Sequence, residues 1–337
     1  LGELDLEQPI IGIMSTGLTT LPPSAMAHEA ALLMAKHGFR HVLVADNGKL
    51  VGVISEKDLF TLQRVGLRQI SSTIRSATGI DALKQAAGDI RQLAHNMLAQ
   101  GVAAEQLTQF ISTLNDLLTE RIIELECAAG CQADFCWLAL GSEGRFEQTL
   151  NTDQDNGIVF AVPPGATAEQ VRSQLLPLAK RINEALAACG FPLCQGDVMA
   201  SNPHWCLSLK EWQDKFTGWI DHGAPDALLN ATIFFDFRPL YGATALATKL
   251  ATALHEWLLP RVSANPRFLH QLAANALQNR PPLGLVRDFA VSKEHTLDLK
   301  LNGVTPFVDA VRIFALAAGV GSTNTVQRLR LAAAKLN

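Results

Sequence analysis

The sequence predicts an α+β chain built from several domains, and three observations carry that prediction. Strand-length apolar runs around one amphipathic helix occupy the first 65 or so residues, and apolar residues recur at helical spacing through residues 66–129. Two buried-type strands then bracket a glycine-rich, acidic turn between residues 135 and 162. A helical pattern resumes at the C-terminal end, so the expected domains are 1–65, 66–129, 130–242 and 243–337. A length of 337 residues suits two or three domains of roughly 100–200 residues each.

Composition narrows the class. An apolar fraction of 48% with 18% charged residues describes a folded chain able to bury a sizeable core, so disorder is not the default expectation. The net charge of −4 gives no global basic field, so nucleic acid is not required as a partner. The six cysteines lack a CxxC pair and regular spacing, which fits neither a zinc site nor a disulfide framework. Reduced thiols and a cytoplasmic location are expected. No run approaches the roughly 20 apolar residues that span a bilayer, and the N-terminus lacks a signal-peptide pattern. The first residue is Leu1 in place of Met, so a longer parent chain with upstream domains is expected.

In the first unit, strands are expected at 17–21, 41–45 and 50–54, with a helix over 26–37. Asn47-Gly48 between two apolar runs is a hairpin signal, because both residues tolerate positive φ. Ile13-Met-Ser15, the helix end Lys36-His-Gly-Phe-Arg-His41 and Leu50-Val-Gly-Val-Ile-Ser-Glu-Lys-Asp-Leu59 together resemble one CBS repeat. The resemblance implies adenine-nucleotide regulation, with Ser55 and Asp58 at the phosphate- and ribose-binding places. It also implies pairing with a second repeat, hence a homodimer or an upstream partner. The bare residues allow another account: Ser55 followed by Glu56-Lys57-Asp58 is a helix N-cap with an acidic first turn, and that simpler account is the favoured one.

Ile80, Leu83, Ala87, Ile90, Ala94 and Met97, then Leu107, Phe110, Ile111, Leu114, Leu118 and Ile122, predict two long amphipathic helices that act as a spacer.

The chemistry concentrates in Cys136-Trp-Leu-Ala-Leu-Gly-Ser-Glu-Gly-Arg-Phe-Glu-Gln-Thr-Leu-Asn-Thr-Asp-Gln-Asp155 and the strand after it. Gly141 and Gly144 allow backbone N–H groups to approach a phosphate, Ser142 offers a hydroxyl, and a helix opening here would point its positive end at the anion. Asp153 and Asp155 are one residue apart, so on an extended segment both carboxylates project from one face, with about 6.5–7 Å between Cα atoms. Hard oxygen donors favour Mg²⁺, which bridges to substrate phosphates. Arg145 is a candidate clamp for phosphate oxygens, and Glu147 a candidate for orienting Arg145.

Gly-Ser followed by Asp-x-Asp resembles the signature of the polymerase-β-like nucleotidyltransferase superfamily, and the fuller pattern is similar to the N-terminal domain of the PII uridylyltransferase group. More narrowly, it resembles the nucleotidyltransferases that follow CBS repeats in bacterial chains. The resemblance implies a mixed-sheet catalytic domain, a nucleoside triphosphate donor, Mg²⁺ at Asp153 and Asp155, and transfer to an unknown acceptor, with a protein acceptor and uridylylation as the family-level expectation. It implies a third carboxylate after the helix 168–189. Asp197 fits that order, a turn-flanking structural Asp fits nearly as well, and Asp236 is the runner-up. Asp236 and Arg238 amid aromatics could equally form an internal ion pair.

Trp205, Trp212 and Trp219 recur every seven residues and are expected as one core-facing stripe of a helix. His204 is expected at the surface. Lys293 and Lys300, flanking Asp298, are candidates for triphosphate or acceptor contacts, with a solvated charged surface the favoured alternative. Two functional accounts compete with transferase activity: a nucleotide sensor without turnover, and a CBS-driven scaffold.

Overall fold

The computed structural model describes residues 17–128, 133–222, 233–242, 256–279 and 298–336, with residues 9, 11, 14, 130 and 252 besides. The chain divides into two compact units, one of residues 1–70 and 95–102 and one of residues 71–94 and 103–337.

The first unit holds a three-stranded sheet in the order β1-β2-β3, where β1 is Thr20–Leu21, β2 His41–Asp46 and β3 Lys49–Ser55. Helix α1 (Ala27–His37) connects the parallel pair β1 and β2 and stops at Gly38, whose φ of 69° is the left-handed conformation that glycine adopts without a Cβ penalty. The antiparallel β2–β3 hairpin turns at Asn47 and Gly48, with φ of 47° and 78°, as the Asn-Gly signal requires. This is the expected β-α-β-β unit.

Helix α2 (Glu56–Ser76) starts directly after β3, followed by α3 (Ile80–Ala99) and α4 (Ala104–Cys127). The expected two helices are therefore preceded by a third, which begins inside the CBS-like stretch. Gly66 does not interrupt it, since a mid-helix glycine costs only about 1 kcal/mol relative to alanine. The predicted stripes are buried: Leu83, Ala87, Ile90 and Ala94 on α3, and Leu107, Ile111, Leu114, Leu118 and Ile122 on α4.

The second sheet is four-stranded and mixed, in the order β6-β5-β4-β7. Its strands are β4 (Phe135–Ala139), β5 (Asn156–Phe160), β6 (Cys206–Ser208) and β7 (Arg238–Tyr241). β4 runs antiparallel to β5 and β7, and β6 lies parallel to β5. Every residue of β4 and β5 is buried, which explains continuous apolar runs in place of alternation. Helix α5 (Gly141–Gly144) is a single turn after β4, α6 (Ala168–Ala188) follows β5, and α7 (Leu209–His222) follows β6.

The tryptophans are buried as expected, but not as one helical stripe. Trp205 stands in the turn before β6, while Trp212 and Trp219 stand on α7. Short β6 intervenes, and the three rings meet around Phe234, which lies 4.2 Å from the Trp205 ring, 5.5 Å from Trp212 and 5.5 Å from Trp219. Helices Pro266–Ala276, Thr305–Ala317 and Thr325–Leu336 form the C-terminal region, with a π-helical turn at Lys300–Val304. No helix among the described residues is long and apolar enough to cross a membrane.

Candidate active site

The site lies at the ends of β4 and β5. After β4 the chain turns at Gly141, whose φ is 53° and where a Cβ would sit 2.8 Å from Asp155 Oδ2. Glycine is thus needed both for the backbone conformation and for the close approach of the carboxylate. Gly144 is tighter still, since a Cβ there would come within 1.8 Å of the carbonyl oxygen of Asp236. The four-residue α5 is too short to carry much of a macrodipole, so any anion seat here depends on individual N–H groups and on Ser142. Ser142 Oγ stands 3.4 Å from Thr152 Oγ1.

The segment 153–155 is extended, and its side chains alternate. Asp153 and Asp155 face one side, half-buried, while Gln154 is buried on the other, where its amide donates to the carbonyls of Asn183 (3.0 Å) and Phe191 (2.8 Å). Asn183, on α6, donates in turn to Gln154 Oε1 (2.8 Å) and Asn156 Oδ1 (3.0 Å). Asn156 Oδ1 also accepts from Ala200 N at 2.8 Å, and Asn183 Oδ1 from Ser201 N at 3.1 Å. This buried amide lattice fixes the acidic segment, and the motif reading missed it. The period-two alternation of Asp-Gln-Asp and the polar Asn183 on an apolar helix face were the available signals.

Asp153, Asp155 and Cys194 each bring one ligand atom into a group no more than 4.8 Å across. Cys194 Sγ donates to Asp155 Oδ1 at 3.4 Å, and Lys300 Nζ lies 3.4 Å from Asp153 Oδ1. Burial, then the neighbouring Asp153 charge, push Asp155 up to about 6, while the Cys194 hydrogen bond, Lys300 and Arg145 partly offset them. Burial likewise raises the Cys194 thiol, so a neutral S–H faces the carboxylate. Behind the turn, burial and the charge of Asp116 drive fully buried Glu143 up to about 8, opposed by Arg238, with Asp155 adding a smaller push upward. Negative charge is under-compensated here, as a site for a cation requires.

Residues 88–226 match the family described as Putative nucleotidyltransferase DUF294, residues 266–337 its Putative nucleotidyltransferase substrate binding domain, and residues 10–64 the CBS domain. Together these matches give the chain the domain set of the CBS-associated DUF294 nucleotidyltransferases. No curated protein matches it. Asp153, Asp155 and the Gly-Ser turn lie inside the nucleotidyltransferase match, and Lys300 inside the substrate-binding match.

Other predicted site residues of this nucleotidyltransferase stand elsewhere. Asp197 is outside the acidic group. It has a φ of 53°, and its carboxylate accepts from Asn202 Nδ2 at 2.9 Å, the turn-flanking role. The loop after α6 instead presents Cys194 to Asp155. Asp236 is no ligand candidate either: it is fully buried and accepts hydrogen bonds from Arg145, Arg312 and Arg328. Burial alone would raise its pKa, yet the three guanidinium groups hold it well below the usual carboxylate range. Arg238 does not pair with Asp236; it bonds Asp116 at 2.7 Å and stacks 3.7 Å from the Phe146 ring centroid.

Arg145 is held at 2.7 Å by Glu147, the orienting contact expected of that residue, and at 2.7 Å by Asp236. Two of its donors are therefore taken by protein carboxylates. In the CBS domain, Ser55 Oγ donates to Asp58 Oδ2 at 2.6 Å and accepts from Asp58 N at 3.2 Å, a reciprocal helix cap. His204 is exposed, and its carbonyl accepts from Lys215 Nζ at 2.9 Å. Lys293 lies outside the described residues.

Proposed function

We propose that the chain transfers a nucleotidyl group from a nucleoside triphosphate to an acceptor, with Asp153 and Asp155 holding a divalent cation, Mg²⁺ by preference. The supporting observation is the pair of same-face carboxylates, one raised to about 6 by burial and by the other, beside a glycine turn that admits no side chain. Two carboxylate oxygens suit a hard dication, which would neutralise phosphate charge and stabilise the attacking and leaving oxygens. Gly141, Ser142 and Gly144 are the proposed phosphate seat. Lys300, exposed and already beside Asp153, is the cation that the C-terminal domain offers to the triphosphate. A protein acceptor and uridylylation extend this reading from the family resemblance. So does adenine-nucleotide regulation at Ser55 and Asp58, where a ligand has to displace the reciprocal cap. Exposed Leu50, Val51 and Val53 on β3 support pairing with a second CBS domain in a homodimer.

One observation favours the second reading, a nucleotide sensor with little turnover: Cys194 stands where a third carboxylate is expected, and a neutral thiol is a poor partner for Mg²⁺. Incubation with Mg²⁺ and each labelled triphosphate separates the two readings. Pyrophosphate release with label on protein in lysate is the expected result. Saturable nucleotide binding without any release would establish the sensor, and no binding at all would defeat both.

A further inference from the structure

The turn 141–147 is bonded from a distance by the C-terminal helical region. Thr323 Oγ1 donates to the carbonyl of Gly144 at 2.7 Å, Asn324 Nδ2 to that of Arg145 at 3.0 Å, and Thr325 N to Glu147 Oε1 at 2.6 Å. Beneath these contacts lies Asp236. It accepts from Arg145 Nη1 at 2.7 Å, from Arg312 through Nε at 3.0 Å and Nη2 at 2.6 Å, and from Arg328 Nη1 at 2.6 Å. Arg328 Nε donates to Ser322 O at 2.6 Å, which returns the network to the segment that caps the turn.

Charge explains why so polar a cluster is tolerated inside the protein. Arg145, Arg312 and Arg328 face Asp236, Asp309 and Glu147, three positive groups against three negative ones, so the cluster is neutral as a whole. A buried network is stable only when its members are matched in this way. The matched members come from both matched regions: Arg145 and Glu147 from the nucleotidyltransferase match, Arg312 and Arg328 from the substrate-binding match. Within the turn itself, the backbone bonds from Gly144 N to Leu140 O and from Arg145 N to Gly141 O are local and span only one turn of chain. Among the described residues its longer-range restraints include Arg238, on Glu143 O and over the Phe146 ring, and the 322–328 segment with the Asp236 hub.

We infer that the 322–328 segment and the Asp236–Arg312–Arg328 hub are positioning elements that set the shape of the Gly-Ser turn, so that the C-terminal domain forms the phosphate seat as well as facing it. The residues touch no reacting atom; they act through Gly144, Arg145 and Glu147. The part of this inference that concerns triphosphate rests on the function proposed above, whereas the part that concerns the turn does not.

The test uses the full chain in two variants. Thr323→Val with Asn324→Ala removes two bonds to the turn, and with Asn324 the N-cap bond to Gln327 N, while keeping the hub side chains. Arg312→Lys keeps the hub's charge and removes its fork. Hydrogen exchange is read at the amides of 141–147 and at those of β4 and β5, and affinity is read with a non-hydrolysable triphosphate analogue. Mn²⁺ binding at the acidic pair is followed by electron paramagnetic resonance. Two hydrogen bonds together worth about 1.4 kcal/mol, within the usual net range, correspond to roughly tenfold. Exchange of the turn amides should therefore quicken about tenfold while the strands stay protected, and analogue affinity should weaken by a similar factor while Mn²⁺ affinity holds. Unchanged exchange in the turn overturns the inference, as does loosening spread evenly over β4 and β5, which would mark the contacts as general stabilisation. A wild-type chain that binds no analogue removes the nucleotide reading alone, and the exchange comparison still decides the clamp.

Discussion

Asp236 and the pair Asp153 and Asp155 are carboxylates of one compact unit in opposite electrostatic states. Asp236 is buried among three guanidinium groups and held well below the ordinary carboxylate range. Asp153 and Asp155 face each other with one exposed lysine and one thiol for company, and Asp155 is driven up to about 6. A carboxylate saturated by the protein holds structure together, whereas one left short of positive charge awaits a ligand. Asp and Arg in an aromatic stretch announce that a partner exists, but only the fold reveals which arginines supply it.

The largest effect that would break this contrast comes from Asp153→Asn with Asp155→Asn. Loss of a cation site worth several kcal/mol should lower nucleotidyl transfer on the order of a thousandfold or more, without lowering unfolding stability, as labelled-triphosphate assays and calorimetry would measure. Asp236→Asn should do the reverse and cost about 3–5 kcal/mol in urea unfolding, because it leaves buried guanidinium charge uncompensated. Its depressed pKa fixes the sign with pH: the contribution is full above the unfolded value of 3.8 and is lost as pH falls below it.

Glu143→Gln sharpens the contrast in the middle range. Glu143 has its folded pKa raised from 4.5 to about 8, so the folded state holds its proton longer and stability falls as pH rises between those values. The glutamine variant should lack that slope and be more stable at pH 8, on the order of a few kcal/mol in matched denaturant titrations. The smallest expected change is that of Lys300→Ala. An exposed pair contributes about 1 kcal/mol or less, so KM for the triphosphate should rise no more than about fivefold. The pKa of Asp155 should move upward in a carboxyl-resolved NMR titration, because Lys300 lowers it. An unchanged value would place Lys300 outside the site's field.

Much of this architecture is legible in the residues. The Asn47-Gly48 hairpin, the α3 and α4 stripes, the buried strands β4 and β5 and the same-face acidic pair follow from local periodicity and turn chemistry. What stayed hidden depends on partners distant in sequence. Asp197 and Cys194 occupy the same loop after α6, and only its path decides which reaches Asp155. Arg145 carries the fork that phosphate recognition needs, yet Asp236, 91 positions away, engages it first. Trp205 keeps a heptad interval from Trp212 although a strand intervenes, because packing around Phe234 can be reached from a turn as well as from a helix. Ser55 and Asp58 fit two accounts by residue type, and their mutual bonds are those of a cap.

The lattice of Gln154, Asn156 and Asn183 has a consequence for how such a site can adapt. It mounts two mutually repelling acids on neutral amides alone, groups that neither titrate nor respond to ionic strength. Protonation, salt or an arriving cation can therefore change the charge on the front of the segment while its mount at the back stays the same. Geometry and charge are thus uncoupled in this segment.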